Sequence, residues 1–224
     1  MSDGQRLVLY GNGKMAELVL HLLDGDPRYR VCAVAADAAF IRSPDFRGLP
    51  LVPLADVPAR FPAADHAMLV AVGYRRMRSR RDMFERARAL GYRLVNYVAR
   101  GARVSPGLRM GENTIIFDSA HLDPMVRLGS NVIVRPMAYV GHDVVIEDHC
   151  FIAPGATIGG GCRVGRLSFI GLGATVTTAA TVAEECLVGA ATLVLKATDP
   201  CGLYVGQPAR RVRDLAESGV VIED

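Results

Sequence analysis

No run of about eighteen apolar residues occurs in the 224-residue chain, which excludes a membrane-spanning helix. The opening residues Met1-Ser2-Asp3-Gly4-Gln5-Arg6 are polar and do not resemble a signal peptide, so a cytoplasmic chain is expected. No CxxC pair and no His/Cys cluster with metal-ligand spacing appears, and no bound metal is expected. Five cysteines, Cys32, Cys150, Cys162, Cys186 and Cys201, are an odd set that reads as free thiols in a reducing compartment. The net charge of only +3 calls for no nucleic acid. Neither a GxSxG nucleophile motif nor a P-loop is present, which removes the serine-hydrolase, kinase and NTPase classes.

What is present is a beat of six. From Val104, every sixth residue as far as Val194 is aliphatic, sixteen positions without interruption. Four places after each, the residue is usually small, as at Ala120, Ala138, Cys150 and Ala174. One place after, it is often glycine, as at Gly129, Gly141, Gly159 and Gly171. A helix repeats every 3.6 residues and a strand every two, so neither gives this rhythm. Hexapeptide repetition belongs to a left-handed parallel β-helix, a triangular prism in which three units close a coil and residues eighteen apart stack. In this reading the aliphatic residue points to the axis, the small residue fits beneath it, and the glycine or a small polar residue takes the corner dihedrals.

The first hundred residues differ. Leu7–Tyr10 reads as a buried strand, Gly11–Lys14 as a turn, and Met15–Leu23 as a helix burying Leu18, Leu20, Leu22 and Leu23. Strands follow at Arg30–Ala35, Ala67–Val72 and Arg93–Val98, with a proline-rich loop region between the first two and a helix over Met77–Leu90. Strands alternating with helices predict a small Rossmann-like parallel α/β sheet. The expected division is an α/β domain over residues 1–98, a linker over 99–103, the β-helix over 104–200, and a C-terminal loop and tail over 201–224.

The strand that runs into Gly11-Asn12-Gly13-Lys14 and then a helix has the geometry of a phosphate cradle, and Asp37, after the second strand, is placed for a ribose hydroxyl. A structural tight turn is the competing reading of the same glycines. Between Gly73 and Arg81 five arginines fall in nine residues. They read either as a solvated helix face or as a source of one or two diphosphate clamps. Within the prism, His142 and Asp143 stand out: an outward imidazole, the natural general base near neutral pH, beside a carboxylate able to orient it. Their coil neighbours eighteen residues away, Pro124 and Gly160, leave room for a ligand. His149, beside Asp148, is the competing candidate; His121, His21 and His66 have weaker settings.

The stretches LVLYGNGKMAE, VAVGYRRMRSRRDMFERARALGYRLVNYV, VGHDVVIEDHCFIAPGATIGGG, SFIGLGATV and LYVGQPARRVR, in that order, resemble the hexapeptide-repeat bacterial sugar acyltransferases of the sialic-acid O-acetyltransferase and nucleotide-amino-sugar N-acetyltransferase type. The resemblance covers nearly the whole chain. It implies a homotrimer with acetyl-coenzyme A in the groove between neighbouring prisms and a nucleotide-linked acceptor held by the N-terminal domain. The family's catalytic histidine falls on His142 and its acidic companion on Asp143. Acceptor contacts fall on Gly11, Asn12, Gly13, Lys14, Asp37 and Gly73. Donor contacts fall around Leu172 and Ala190, with Pro208, Ala209 and Arg210 near the adenine end. Phe151 stands where many relatives have a second histidine facing the donor, and the glycine loop is shorter than theirs and lacks their histidine.

The implied reaction is acetyl transfer to the amino group of a nucleotide-linked sugar. A sugar hydroxyl is the alternative acceptor, and a non-catalytic trimeric scaffold the alternative outside the enzymes. A carbonic anhydrase built on the same prism needs three histidines spaced for zinc, a spacing that His121, His142 and His149 lack.

Overall fold

The computed structural model describes residues 4–222. The chain forms two compact units, one comprising the residues up to Gly73 together with Asp82–Val95, the other Tyr74–Arg81 together with everything from Asn96 onward.

In the first unit, strand β1 (Gln5–Tyr10) is central, with helix α1 (Lys14–Leu23) following it and β2 (Tyr29–Ala36) pairing alongside. Strands β3 (Asp45–Phe46) and β4 (Leu49–Pro53) form a short hairpin, and β4 extends the sheet on β2. After the single turn α2 (Val57–Arg60), β5 (Ala67–Val70) pairs with the other side of β1. The resulting order is β3-β4-β2-β1-β5, parallel except for the β3–β4 hairpin. The hairpin occupies the region read from the sequence as loop, because Pro50 and Pro53 disguise the strand β4. Both faces of β1 are fully buried from Leu7 to Tyr10, as an inner parallel strand requires.

Helix α1 buries Met15, Ala16, Val19 and Leu23, and leaves Leu18 43% exposed. The packed stripe is therefore the i, i+4, i+8 line through Met15, Val19 and Leu23, and of the leucines expected from the sequence only Leu23 is buried on it. The helix stops where the Asp24 N–H bonds Leu20 O and Gly25 turns left-handed at φ 71°. Helix α3 (Met77–Ala89) is divided between the units, its first five residues going with the second.

The second unit is a left-handed parallel β-helix. Its first rung is Tyr97–Val98, which pairs with Ile115–Ile116. The strand expected over Arg93–Val98 is thus two things: a bridge at Leu94 to Met68 in the first sheet, and the opening rung of the prism at its end. The chain then visits three faces in turn. The first face stacks the rungs of Tyr97, Ile115, Ile133, Phe151, Phe169 and Leu187 and is finished by Gly202–Val205 and antiparallel Arg210–Asp214; the second runs from Arg103 to Val194; the third from Arg109 to Val182. Every parallel pairing between hexapeptide rungs joins residues eighteen apart, such as His121 with Tyr139 and Tyr139 with Thr157.

The axis is filled by the six-residue series. Ile116, Val134, Ile152, Ile170 and Val188 are all 0% exposed, and so are the small partners Ala120, Cys150 and Ala174. Fully burying each branched side chain contributes on the order of 2 kcal/mol.

The corners differ from expectation. The left-handed residue comes three places after the axial one, at Asn113, Ser119, Met125, Asn131, Asp143, His149, Gly161 and Gly173 among others, with φ between 55° and 69° in those named. The glycines one place after the axial residue serve close packing instead. A Cβ on Gly141 would lie 2.7 Å from Gly160 N, and one on Gly171 2.6 Å from Val188 O. Most left-handed corners are held by a coil-to-coil bond, for example Asp143 N–H to Pro124 O at 3.2 Å and Gly161 N–H to His142 O at 2.8 Å.

Candidate active site

His142 and Asp143 sit at the corner where the second face turns into the third. The strand Tyr139–Val140 ends with Val140 in the axis, so the next residues leave the core and His142 projects outward. Asp143 occupies the left-handed corner position at φ 58°, a conformation aspartate tolerates better than most residues. Its Oδ2 lies 3.0 Å from His142 Nδ1. The two side chains are 61% and 52% exposed, and Nε2 has no hydrogen-bond partner among the described residues. The hydrogen bond favours the tautomer with the proton on Nδ1, which turns the Nε2 lone pair outward. Beneath the ring lies Gly160, where a Cβ would come within 2.5 Å of His142 Nε2.

The rival histidine has another task. His149 is 8% exposed, and its Nδ1 is 3.0 Å from Asn131 Nδ2 in a buried ladder that continues from Asn131 Oδ1 to Asn113 Nδ2. It belongs to the core of a corner.

A second polar group on the same face as His142 was not singled out from the sequence. Asp123 accepts from the Tyr139 hydroxyl at 2.5 Å and lies 3.4 Å from His121 Nε2. The hydrogen bond to Asp123, with burial adding to it, raises the Tyr139 pKa. The available signal was the eighteen-residue spacing that stacks His121 on Tyr139.

In the first unit the glycine loop follows β1 as expected. Gly11 has φ 131°, and a Cβ there would strike Ala71 O at 2.6 Å, so this glycine is obligatory for the fold itself. Gly13 is the N-cap of α1, supplies no side-chain cap, and has open space where its Cβ would be. The first helical amides therefore face an unobstructed approach. Gly73 is likewise open, with only Met15 Cβ at 3.9 Å. Asn12 Nδ2 bonds Phe40 O at 2.9 Å, and Lys14 pairs with Glu17 at 2.8 Å. Asp37 is already engaged: Arg86 donates to both its oxygens at 3.0 Å and the Tyr10 hydroxyl donates at 2.8 Å. Burial works against the Asp37 charge, but the Arg86 and Tyr10 hydrogen bonds outweigh it and hold its carboxyl below the usual range. A cavity of about 640 Å³ elsewhere in this unit, lined by Glu17, His21, Tyr29 and Arg47, includes none of the expected acceptor residues.

Two of the five arginines in the run serve the fold. Arg80 is buried, with Nη1 donating to Asn131 O at 2.7 Å and Nη2 to the carbonyls of His149 and Cys150. Arg78 pairs with Glu185 and donates to the carbonyls of Ala216 and Glu217. These two side chains hold the start of α3 against prism corners and are not diphosphate clamps.

Leu172 and Ala190 lie on successive coils at the corner between the first and second faces, both exposed. The C-terminal loop reaches the same corner: Gln207 Nε2 bonds Ala191 O at 2.6 Å and Ala209 N–H bonds Leu193 O at 2.8 Å, with exposed Pro208 and Arg210 beside them. The structure thus gathers the expected donor residues, but at a different corner from His142. Phe151 departs from expectation. It is 1% exposed, stacked on Phe169 at 5.2 Å and 9°, and covered by Tyr74 at 4.8 Å, so its ring is committed to an aromatic cluster and presents no surface to a donor. No group of three or more His, Cys, Asp or Glu residues suited to a metal occurs among the described residues.

The family described as "Bacterial transferase hexapeptide (six repeats)" matches residues 125–160 and 143–178, which include His142 and Leu172. No curated protein sequence matches the chain. Among solved structures, a histidine-to-asparagine variant of perosamine N-acetyltransferase from Caulobacter crescentus, in complex with CoA and GDP-perosamine, is 27% identical and aligns over 96% of this chain and 99% of its own with a TM-score of 0.85. The acetyltransferase domain of PglB from Neisseria gonorrhoeae, in complex with acetyl coenzyme A, is 26% identical over 93% of this chain and 100% of its own, with a TM-score of 0.83. The chain is an acyltransferase, similar along almost its whole length to these bacterial sugar acetyltransferases. WeeI from Acinetobacter baumannii, 21% identical over 93% of this acyltransferase and 100% of its own chain with a TM-score of 0.75, shares the fold.

Proposed function

We propose that this acyltransferase moves the acetyl group of acetyl-coenzyme A to the amino group of a nucleotide-linked amino sugar, with His142 as general base and Asp143 as the residue that positions it. The observation that carries the reading is the exposed His142–Asp143 pair, 3.0 Å apart, with its free Nε2 over the bare backbone of Gly160. The similar proteins, with CoA, acetyl-CoA or GDP-perosamine in their complexes, supply the substrate classes.

The amine attacks the thioester carbonyl as Nε2 accepts its proton, forming the C–N bond. Collapse of the tetrahedral intermediate breaks the C–S bond, and the proton on Nε2 passes to the departing thiolate. A positioned base is typically worth about 10²–10⁴-fold. Asp143 stabilises the imidazolium formed on the way. Because the base and the expected donor corner lie at opposite ends of the second face, donor and base come together only when a second copy brings its own corner alongside. A cyclic homotrimer meets that requirement at each of three sites.

The test is His142→Asn, assayed by release of free coenzyme A thiol with nucleotide-linked 4-amino-deoxysugars as acceptors. Loss of most of kcat with the oligomer intact is expected; near-normal turnover would remove His142 from the mechanism.

A further inference from the structure

Arg135 lies one place after the axial Val134, on the first face of the prism. Its guanidinium carbon sits 4.1 Å above the centre of the buried Phe117 ring, the residue stacked eighteen positions before it. No carboxylate or hydrogen-bond acceptor pairs with its side chain among the described residues, and Nη1 is sealed from solvent without a partner. Burial lowers its pKa, while the Tyr74 phenol acts in the opposite direction on the same guanidinium. Arg80, which is fully buried, places both terminal nitrogens on carbonyl oxygens and leaves only Nε without a partner, so the protein does supply acceptors to the terminal nitrogens where an arginine serves the fold.

The stacking column explains why no acceptor comes from within. Next to Arg135 on the following coils stand Ala153, Gly171 and Gly189, none with a polar side chain. One face of the guanidinium is covered by Phe117, which holds the plane in place without neutralising it. A half-buried, oriented guanidinium whose Nε and Nη2 edge is given no acceptor by the protein is matched chemically by a planar or tetrahedral oxyanion that can take two parallel hydrogen bonds. Tyr74, which shares this surroundings, directly follows Gly73 in the chain, whereas the donor corner at Leu172 lies two coils further on.

We infer that Arg135 is an anchor for an oxyanion of the acceptor. The inference rests on the acetyl-transfer reading and deepens it: the acceptor carries a negative group, either the diphosphate of a nucleotide-linked sugar or the carboxylate of an acidic sugar, and Arg135 is the prism residue that selects it.

Calorimetric titration of the intact protein tests this without needing turnover. The probes are GDP, UDP and dTDP for the diphosphate, N-acetylneuraminate for the carboxylate, and coenzyme A for the donor. Arg135→Met is expected to weaken one of the acceptor-type probes by about ten- to a hundredfold, the range for a charge-assisted hydrogen bond, and to leave coenzyme A unchanged. Whether the diphosphates or N-acetylneuraminate lose affinity tells the two sources apart. Arg135→Lys, which keeps the charge but not the fork, should fall between. The melting temperature of ligand-free Arg135→Met should equal or exceed that of the parent, because a half-buried cation with no acceptor adds little to the fold and methionine keeps contact with Phe117. Unchanged affinity for every acceptor probe overturns the anchor, as does equal loss for coenzyme A, or a melting temperature lower by several degrees or a broken oligomer, which would mark a structural role. If the parent protein binds coenzyme A and transfers acetyl groups while the variant keeps its acceptor KM, only the anchor falls. If diphosphate binding depends on Arg135 but no thiol is released from acetyl-coenzyme A, the acetyl-transfer reading falls and the anchor stands.

Discussion

The imidazole of His142 rests over the Cα of Gly160, one coil further along the prism, and the three heavy atoms nearest to a Cβ on Gly160 are all atoms of that ring. Gly160 has no left-handed φ, so alanine is conformationally acceptable there. Gly160→Ala should therefore push the ring aside without disturbing the backbone. The expected outcome is a kcat lower by roughly ten- to a hundredfold, since a misplacement of about 1 Å can cost that much, with a melting temperature within about 2 °C of the parent. Unchanged kcat would show that the ring's seat on Gly160 has no bearing on the reaction.

Asp143 combines two demands, a left-handed corner at φ 58° and a carboxylate 3.0 Å from Nδ1. Asn satisfies the first and removes the charge of the second; Ala fails both. Asp143→Asn is expected to lower kcat on the order of 10²-fold with acceptor KM and melting temperature unchanged. Asp143→Ala should lose as much activity and also about 1 kcal/mol of stability for the left-handed alanine. A shift in KM with kcat preserved in Asp143→Asn would argue for substrate contact in place of positioning.

The prism was legible because two positions in every six, the axial aliphatic and the small residue four places on, are fixed by packing against the axis. The left-handed corner between them was not. It is occupied by Asn, Ser, Met, Asp, His, Leu, Ala and Glu as well as Gly, because the coil-to-coil hydrogen bonds impose that backbone whatever the side chain. His142 and Asp143 were legible as a pair because outward polar neighbours are conspicuous among Val and Ile. The roles of Arg80 and Arg135 were not, since burial of an arginine depends on carbonyls and rings far along the chain. The aromatic packing of Phe151 was hidden for the same reason: its partners Phe169 and Tyr74 are eighteen and seventy-seven residues away.

Arg80 bonds Asn131 O, Asn131 Oδ1, and the carbonyls of His149 and Cys150 from a fully buried position, where desolvation lowers its pKa to about 10. Arg80→Met removes the donor and strands those oxygens. Thermal unfolding should show a loss of roughly 3 kcal/mol, a drop of about 6–12 °C for a chain of this size, with Arg80→Lys intermediate. A melting temperature unchanged in Arg80→Met would mean that the corner carbonyls find other donors.

Asp37 gives a pH signature. Its pKa is depressed in the folded chain, so its contribution is present above the ordinary carboxylate value of about 3.9 and is lost as pH falls through the lower folded value. Asp37→Asn should accordingly melt below the parent at pH 7, and the gap should close as pH approaches 3. The Arg86 side chain is 48% exposed, which keeps the effect small, below about 1 kcal/mol. A gap that stays constant down to pH 3 would show that the ion pair is not its source.

The thiols decide between direct transfer and an acyl-enzyme. Cys150, Cys162 and Cys186 fill the small inward position of their coils, and burial pushes the Cys150 thiol up to about 12. A thiol at that value is almost wholly protonated at neutral pH and cannot reach a thioester outside the prism. Treatment of the native protein with N-ethylmaleimide at pH 7.5 should label at most Cys32 and Cys201, the two partly exposed cysteines, with the other three reacting only after unfolding. The labelled protein should keep its acetyl transfer activity. Rapid native labelling of Cys150, Cys162 or Cys186, with activity lost in step, would contradict both the burial and the direct mechanism.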